Sequence, residues 1–143
     1  MADWVHTFKG AVLASEYDFA SHMNSRMYVS RFDQATWFLL HAIGVTPASM
    51  KQKNLRVAIV RQNYQFLEEL RGGELVEIKS GFLTVGQKYF RFLHQMYNDE
   101  TGNMVATYVN TGPDHFAHSL VYADIALTLA PLTTGGEDIG RVT

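Results

Sequence analysis

The 143-residue sequence predicts an α+β fold, an antiparallel β-sheet wrapped around one long central α-helix. Three observations carry this expectation. A single long helical pattern occupies the first third of the chain, with Tyr28, Phe32, Ala35, Leu39 and Ile43 recurring at spacings of three and four. One strand-like segment precedes it. Several β-forming runs separated by short turn signals follow it.

Residues 8–15 alternate as a first strand. The segment 16–24 is polar and turn-prone. Asn24 is placed to cap the helix, because its side-chain oxygen can accept an early backbone N–H. Gly44 can close the helix in the left-handed conformation and Pro47 blocks its continuation, for a length of roughly 18–20 residues. Trp37 and Phe38 lie off the main stripe, either as ordinary packing or as a subunit contact. Residues 55–66 read as extended, and the strand is expected to run through Glu68-Glu69-Leu70 into the turn at Arg71-Gly72-Gly73. Strands over 75–85, 88–97 and 104–110 follow, the last two joined by the hairpin loop 98–103. Beyond Thr111 the segment 118–132 reads as a helix or a further strand, and the tail from about residue 133 as loose. Consecutive hairpins imply antiparallel pairing, and the one helix is the natural cover for one sheet face. This is the hotdog architecture, expected as a single domain over residues 1–143. Its open sheet edge favours a homodimer or a dimer-of-dimers tetramer.

Composition narrows the function. Hydrophobic residues make up 47% and charged residues 18%, enough for a real core, and the net charge of −2 lacks the basic footprint that nucleic acid requires. The absence of cysteine removes disulfides, thiolate metal sites and a Cys nucleophile. The first seven residues do not read as a signal peptide and no apolar run approaches the ~20 residues of a membrane span. A cytoplasmic protein with no membrane association and no cofactor is expected. His6, His41, His94, His115 and His118 form no metal-ligand set, so no metal is expected either.

The residues Asp18-Phe19-Ala20-Ser21-His22-Met23-Asn24, followed by Tyr28 and Phe32-Asp33-Gln34-Ala35, resemble the 4-hydroxybenzoyl-CoA thioesterase family. That family commonly shows an Asp, then Gly-His-Val-Asn after two residues, then an aromatic helix. The resemblance continues to the segment 64–74 and covers roughly residues 8–110. Ser21 stands where Gly is usual, Met23 where Val is common and Ser25 where a second Asn often sits. It implies hydrolysis of an acyl-CoA thioester, with coenzyme A as part of the substrate.

The residues themselves allow that chemistry. Thioester hydrolysis needs a nucleophile or an activated water, and a donor for the oxyanion. With no Cys and no Gly-x-Ser-x-Gly elbow, a carboxylate just before a helix N-terminus offers another route. Asp18 would act as general base or attack directly to form an anhydride. Backbone N–H groups near His22 to Asn24 would polarise the carbonyl. Asp18, His22 and Asn24 are the candidate catalytic set. His22 would orient water or bond the carbonyl, or else only tie the loop together, and Asn24 is read chiefly as cap and loop organiser. Asp33, the rival carboxylate, lies over two turns into the helix and is read as structural or interfacial. Met23, Tyr28, Tyr64, Arg61 and Lys88 are candidate substrate contacts, the two cations for coenzyme A phosphates together with Arg56 and Arg91. The aromatic content of 13% suits an aromatic, short or branched acyl group. The competing functions are a hotdog dehydratase or hydratase, whose Asp-x-Asn-Pro-x-His type segment is not found here, and a non-catalytic acyl-CoA-binding module.

Overall fold

The computed structural model describes residues 4–54, 56–59, 61–85, 90–111 and 115–116. Strand β1 (Val5–Ala11) leads through a 3-10 turn at Ala14–Glu16 into helix α1 (Ser25–Ala42). A short helix α2 (Pro47–Gln52) and strands β2 (Val57–Ala58), β3 (Arg61–Phe66), β4 (Leu75–Val85), β5 (Phe90–Asn98), β6 (Met104–Thr111) and β7 (His115–Phe116) follow. Five strands form one antiparallel sheet in the order β1-β4-β5-β6-β3, and β2 pairs with β7 apart from it. The three consecutive strands β4, β5 and β6 form the centre, and β1 and β3 close its two edges. This is the sheet-around-a-helix hotdog fold the sequence predicts.

The stripe on α1 is the one read from periodicity. Tyr28, Phe32, Ala35 and Leu39 are buried, and Ile43 is buried at the C-cap. Asn24 caps the helix by accepting the Arg26 N–H, and Gly44 leaves it at φ +81°. Facing the helix, β4 buries Val76, Ile78, Ser80 and Phe82 on one side and β5 buries Phe90, Phe92, His94 and Met96, the period-two alternation of a half-covered sheet. Burying each such aliphatic or aromatic side chain contributes about 1.5–3 kcal/mol before entropy is charged against it.

A polar thread crosses this core. His94 is fully buried; Nδ1 contacts the Ser80 hydroxyl and Nε2 lies 2.9 Å from Thr36 Oγ1. Ser80 Oγ lies 2.7 Å from Thr7 Oγ1; the Thr7 hydroxyl can donate to the Ile78 carbonyl and the Thr36 hydroxyl to that of Phe32. The thread thus joins β1, β4, β5 and α1. With a neutral ring it has one proton fewer than it has contacts. Protonating His94 would supply the missing donor, yet burial among Phe32, Phe92 and Tyr108 pushes the ring down to about 3.

The fold departs from the expected elements at four places. The first strand ends at Ala11 rather than residue 15, because Glu16 turns inward: it is buried, accepts the Leu13 N–H at 2.7 Å and ion-pairs with Arg31 of α1. Pro47 stops α1 but then opens α2, inside a Thr46–Ser49 capping box. The run 55–66 is two strands, not one, since β2 pairs with β7 while β3 pairs with β6. The strand expected through Glu68-Glu69-Leu70 ends at Phe66, and the chain there is loop. The segment 118–132 and the tail from 133 lie outside the described residues.

Candidate active site

The chain between the 3-10 turn and α1 makes a tight hairpin. Tyr17 bridges to Met23, Ser21 donates to the Asp18 carbonyl at 2.9 Å, and Ser21 takes φ +64°. Asp18 sits at the first corner of this turn with Oδ1 accepting the Ala20 N–H at 2.9 Å, an Asx-type bond that orients the carboxylate. The hairpin is tied down from both sides. Met23 N–H donates to the Leu70 carbonyl at 2.7 Å, Asn24 N–H to that of Glu16 at 2.8 Å, and His22 bridges to Arg71. The Tyr17 ring lies close over Gly72, where a Cβ would stand 2.6 Å from it and displace the ring. The buried Glu16–Arg31 pair fixes the root of the hairpin to the helix it precedes.

These constraints open a cleft of about 470 Å³ at the N-terminus of α1, lined by Asp18, His22, Met23, Asn24, Ser25 and Tyr28, with Phe66, Leu67, Glu68 and Glu69 opposite. His22 Nε2 lies 2.9 Å from Glu69 Oε2. The Tyr28 hydroxyl bridges two backbone groups of the facing loop, accepting the Leu70 N–H at 3.1 Å and donating to the Glu68 carbonyl at 3.1 Å. Burial is the largest cause raising the Tyr28 phenol, opposed by the Leu70 N–H and reinforced by Glu69 and Glu74, so the ring stays a neutral donor.

Five of the sequence candidates meet on this cleft: Asp18, His22, Met23, Asn24 and Tyr28. Tyr64 does not. It stacks on Phe66 and lines a separate cavity of about 310 Å³ with Asp33, Arg26, Thr36 and Gln62, farther along the seam between α1 and β3. Burial and then Asp33 raise the Tyr64 phenol. Arg61 is exposed on edge strand β3 and lines neither wall of the Asp18 cleft, and Lys88 lies outside the described residues. No Lys or Arg is among the cleft's described lining residues, so any phosphate contact made by the chain comes from outside that lining.

The donors need one correction. The N–H groups of Met23 and Asn24 are spent on Leu70 and Glu16, and those of Arg26 and Met27 on Asn24. Ser25 N–H, at the first position of α1, and His22 N–H, both on cleft-lining residues, are left without a protein acceptor among the described residues. Sequence reasoning also missed Glu69 and the walls Phe66, Leu67 and Glu68. Their signal was slight: two consecutive acids at the end of a strand carry no local pattern that points across to residue 22.

One long helix against a five-stranded antiparallel sheet, with a cleft at the helix start, is a hotdog fold. The profile of the thioesterase-like superfamily matches residues 12–112, and the chain belongs to that superfamily. Among solved structures, a gentisyl-coenzyme A thioesterase superposes with a TM-score of 0.69 at 18% identity, covering 86% of this chain and 98% of that one. A Staphylococcus aureus protein in complex with CoA gives 0.76 at 10% identity over 93% and 88% of the two chains. A 1,4-dihydroxy-2-naphthoyl-CoA thioesterase from Synechocystis gives 0.65 at 12% over 78% and 80%. No curated protein is a significant sequence match. Among the described residues, no helix is long and apolar enough to cross a membrane.

Proposed function

We propose that this protein hydrolyses acyl-coenzyme A thioesters to a carboxylic acid and free coenzyme A, with Asp18 as base or nucleophile. The observation that carries the reading is that Asp18 and the unspent Ser25 N–H line the same cleft. A thioester carbonyl seated there accepts from Ser25 at the positive end of α1, where a preorganised donor lowers the barrier by about 2.7–4 kcal/mol. In the general-base route, water gives a proton to Asp18, hydroxide adds to the acyl carbon, and the C–S bond breaks with its electron pair leaving on sulfur. In the nucleophilic route, an Asp18 oxygen adds instead, thiolate leaves, and water then splits the anhydride. Asn24 serves both by holding the helix start in place. Met23, Tyr28, Phe66 and Leu67 give the cleft apolar walls suited to an aromatic, short or branched acyl group.

The thioesterase neighbours and the CoA-bound neighbour support coenzyme A as the thiol half of the substrate. The assembly proposed is a homodimer or a pair of dimers. Among the described residues strand β3 ends the sheet, with every residue exposed except the half-buried Tyr64, an edge of the kind that a second copy covers.

The test is thiol release from a panel of acetyl-, butyryl-, benzoyl- and enoyl-CoA by wild type and Asp18→Asn. At least one ester is hydrolysed, and Asp18→Asn slows it by roughly a hundredfold or more. Turnover within a few-fold of wild type in a folded Asp18→Asn protein would sink the assignment. Hydration of the enoyl ester without hydrolysis would move the chain to the hydratases.

A further inference from the structure

We infer that Glu69 is a positioning residue for His22, and that the pair supplies the proton to the departing sulfur; the inference rests on the hydrolytic reading above. Glu69 is held to this task by its backbone. The Tyr28 hydroxyl bonds the residue before it, at the Glu68 carbonyl, and the residue after it, at the Leu70 N–H. The Leu70 carbonyl accepts from Met23 and Arg71 bridges to His22, so the loop bearing Glu69 and the turn bearing His22 are stitched together immediately after Glu69. The neighbouring acid is engaged elsewhere, Glu68 Oε1 accepting from Asn103 Nδ2 at 3.3 Å. Glu69 therefore is the carboxylate presented to the ring, at 2.9 Å from Nε2.

The pair is not a folding device. Its side chains are 64% and 30% exposed, and an exposed ion pair adds little to stability. Its consequence is chemical. A carboxylate at Nε2 keeps a proton on that nitrogen and fixes the ring's orientation, as the third member of a hydrolase triad does. Nδ1 is left without a partner among the described residues, on a ring that lines the cleft.

The steps balance as follows. Water gives a proton to Asp18 and hydroxide adds to the acyl carbon. The C–S bond breaks and its electron pair stays on sulfur. Imidazolium His22 passes its Nδ1 proton to that sulfur, releasing the thiol and a neutral ring whose Nε2–H remains on Glu69. Solvent then reprotonates the ring and takes the proton from Asp18. In the anhydride route the same proton meets the same leaving thiolate.

Steady-state kinetics of Glu69→Gln, Glu69→Asp, His22→Gln and the His22→Gln/Glu69→Gln double variant test this, using the best ester from the panel. Glu69→Gln lowers kcat roughly tenfold with KM within about twofold. Glu69→Asp restores most of the rate, and the double variant is no slower than His22→Gln alone. Wild-type kcat in Glu69→Gln, while Asp18→Asn is inactive, overturns the inference and leaves the hydrolytic reading standing. So does a rise in KM alone, or losses that multiply in the double variant. A wild-type protein inert toward every thioester fails the underlying reading instead.

Discussion

His22 and His94 each sit against fixed polar partners, and the difference between their surroundings separates the imidazole proposed to act on substrate from a core one. His22 belongs to a backbone-stitched turn, faces a carboxylate and lines an open cleft. His94 is fully buried, meets only hydroxyls and is stacked among aromatic rings. In the core every partner is uncharged, so nothing offsets the desolvation of a cation, and the ring is kept neutral down to about pH 3. Around the cleft the precision comes from main-chain bonds, which leave side chains free to meet a ligand. The same residue type thus meets opposite surroundings in solvent access and partner charge.

The sharpest way to break this contrast is to remove the buried ring. His94→Leu leaves the Ser80 and Thr36 hydroxyls facing an apolar side chain, and a loss of about 3 kcal/mol is expected in urea unfolding at pH 7. The pH dependence has a defined sign. The folded value, about 3, lies below the unfolded value near 6.5, so His94 contributes its stability in full above pH 6.5. That contribution is lost as the pH falls from 6.5 toward 3, at about 1.4 kcal/mol per pH unit within the window. His94→Leu loses this slope, and the gap between wild type and variant narrows from pH 7 to pH 5. A constant gap would mean that the ring is not held neutral by burial.

Tyr28 joins the two regions, because its ring belongs to the core and its hydroxyl to the cleft. Tyr28→Phe keeps the packing and leaves the Leu70 N–H without its partner, an expected loss of about 1–3 kcal/mol read as a lower melting temperature. It also frees the loop that carries Glu69, so kcat falls in the variant even at temperatures where it is fully folded. A stability loss with unchanged kcat would show that the loop does not need this tie.

What the sequence made legible was whatever repeats locally. The α1 stripe and its Asn24 cap, strand β4 at 75–85 and the 98–103 loop all follow from periodicity or turn chemistry within a few residues. The cleft's near wall, Asp18 to Tyr28, was legible as a candidate because it is contiguous in the chain and carries the family resemblance. The far wall was not. Glu69 meets His22 from 47 positions away along the chain, and β3 pairs with β6 rather than with the strand that follows it. Glu16 read only as the first residue of a polar turn, although Arg31 in the helix that follows draws it inward. Long-range polar pairs of this kind leave no periodic trace, which is why the buried Thr7-Ser80-His94-Thr36 thread, spread over the N-terminus, two strands and the helix, went unread.

Asn24 marks the boundary between the two regions and carries the smallest expected effect. Its side chain accepts the Arg26 N–H at 2.9 Å and its carbonyl the Met27 N–H at 2.8 Å. Asn24→Ala removes only the side-chain bond, an expected loss of about 1 kcal/mol, while Asn24→Asp keeps an acceptor and stays near wild type. If Asn24 acts solely as a cap, kcat follows stability and the Asp variant retains full turnover. A collapse of kcat in Asn24→Asp with a normal melting temperature would instead mean that the amide nitrogen touches substrate. The added carboxylate would then have to be weighed beside Asp18, and the division between a holding residue and a reacting one at the helix start would be redrawn.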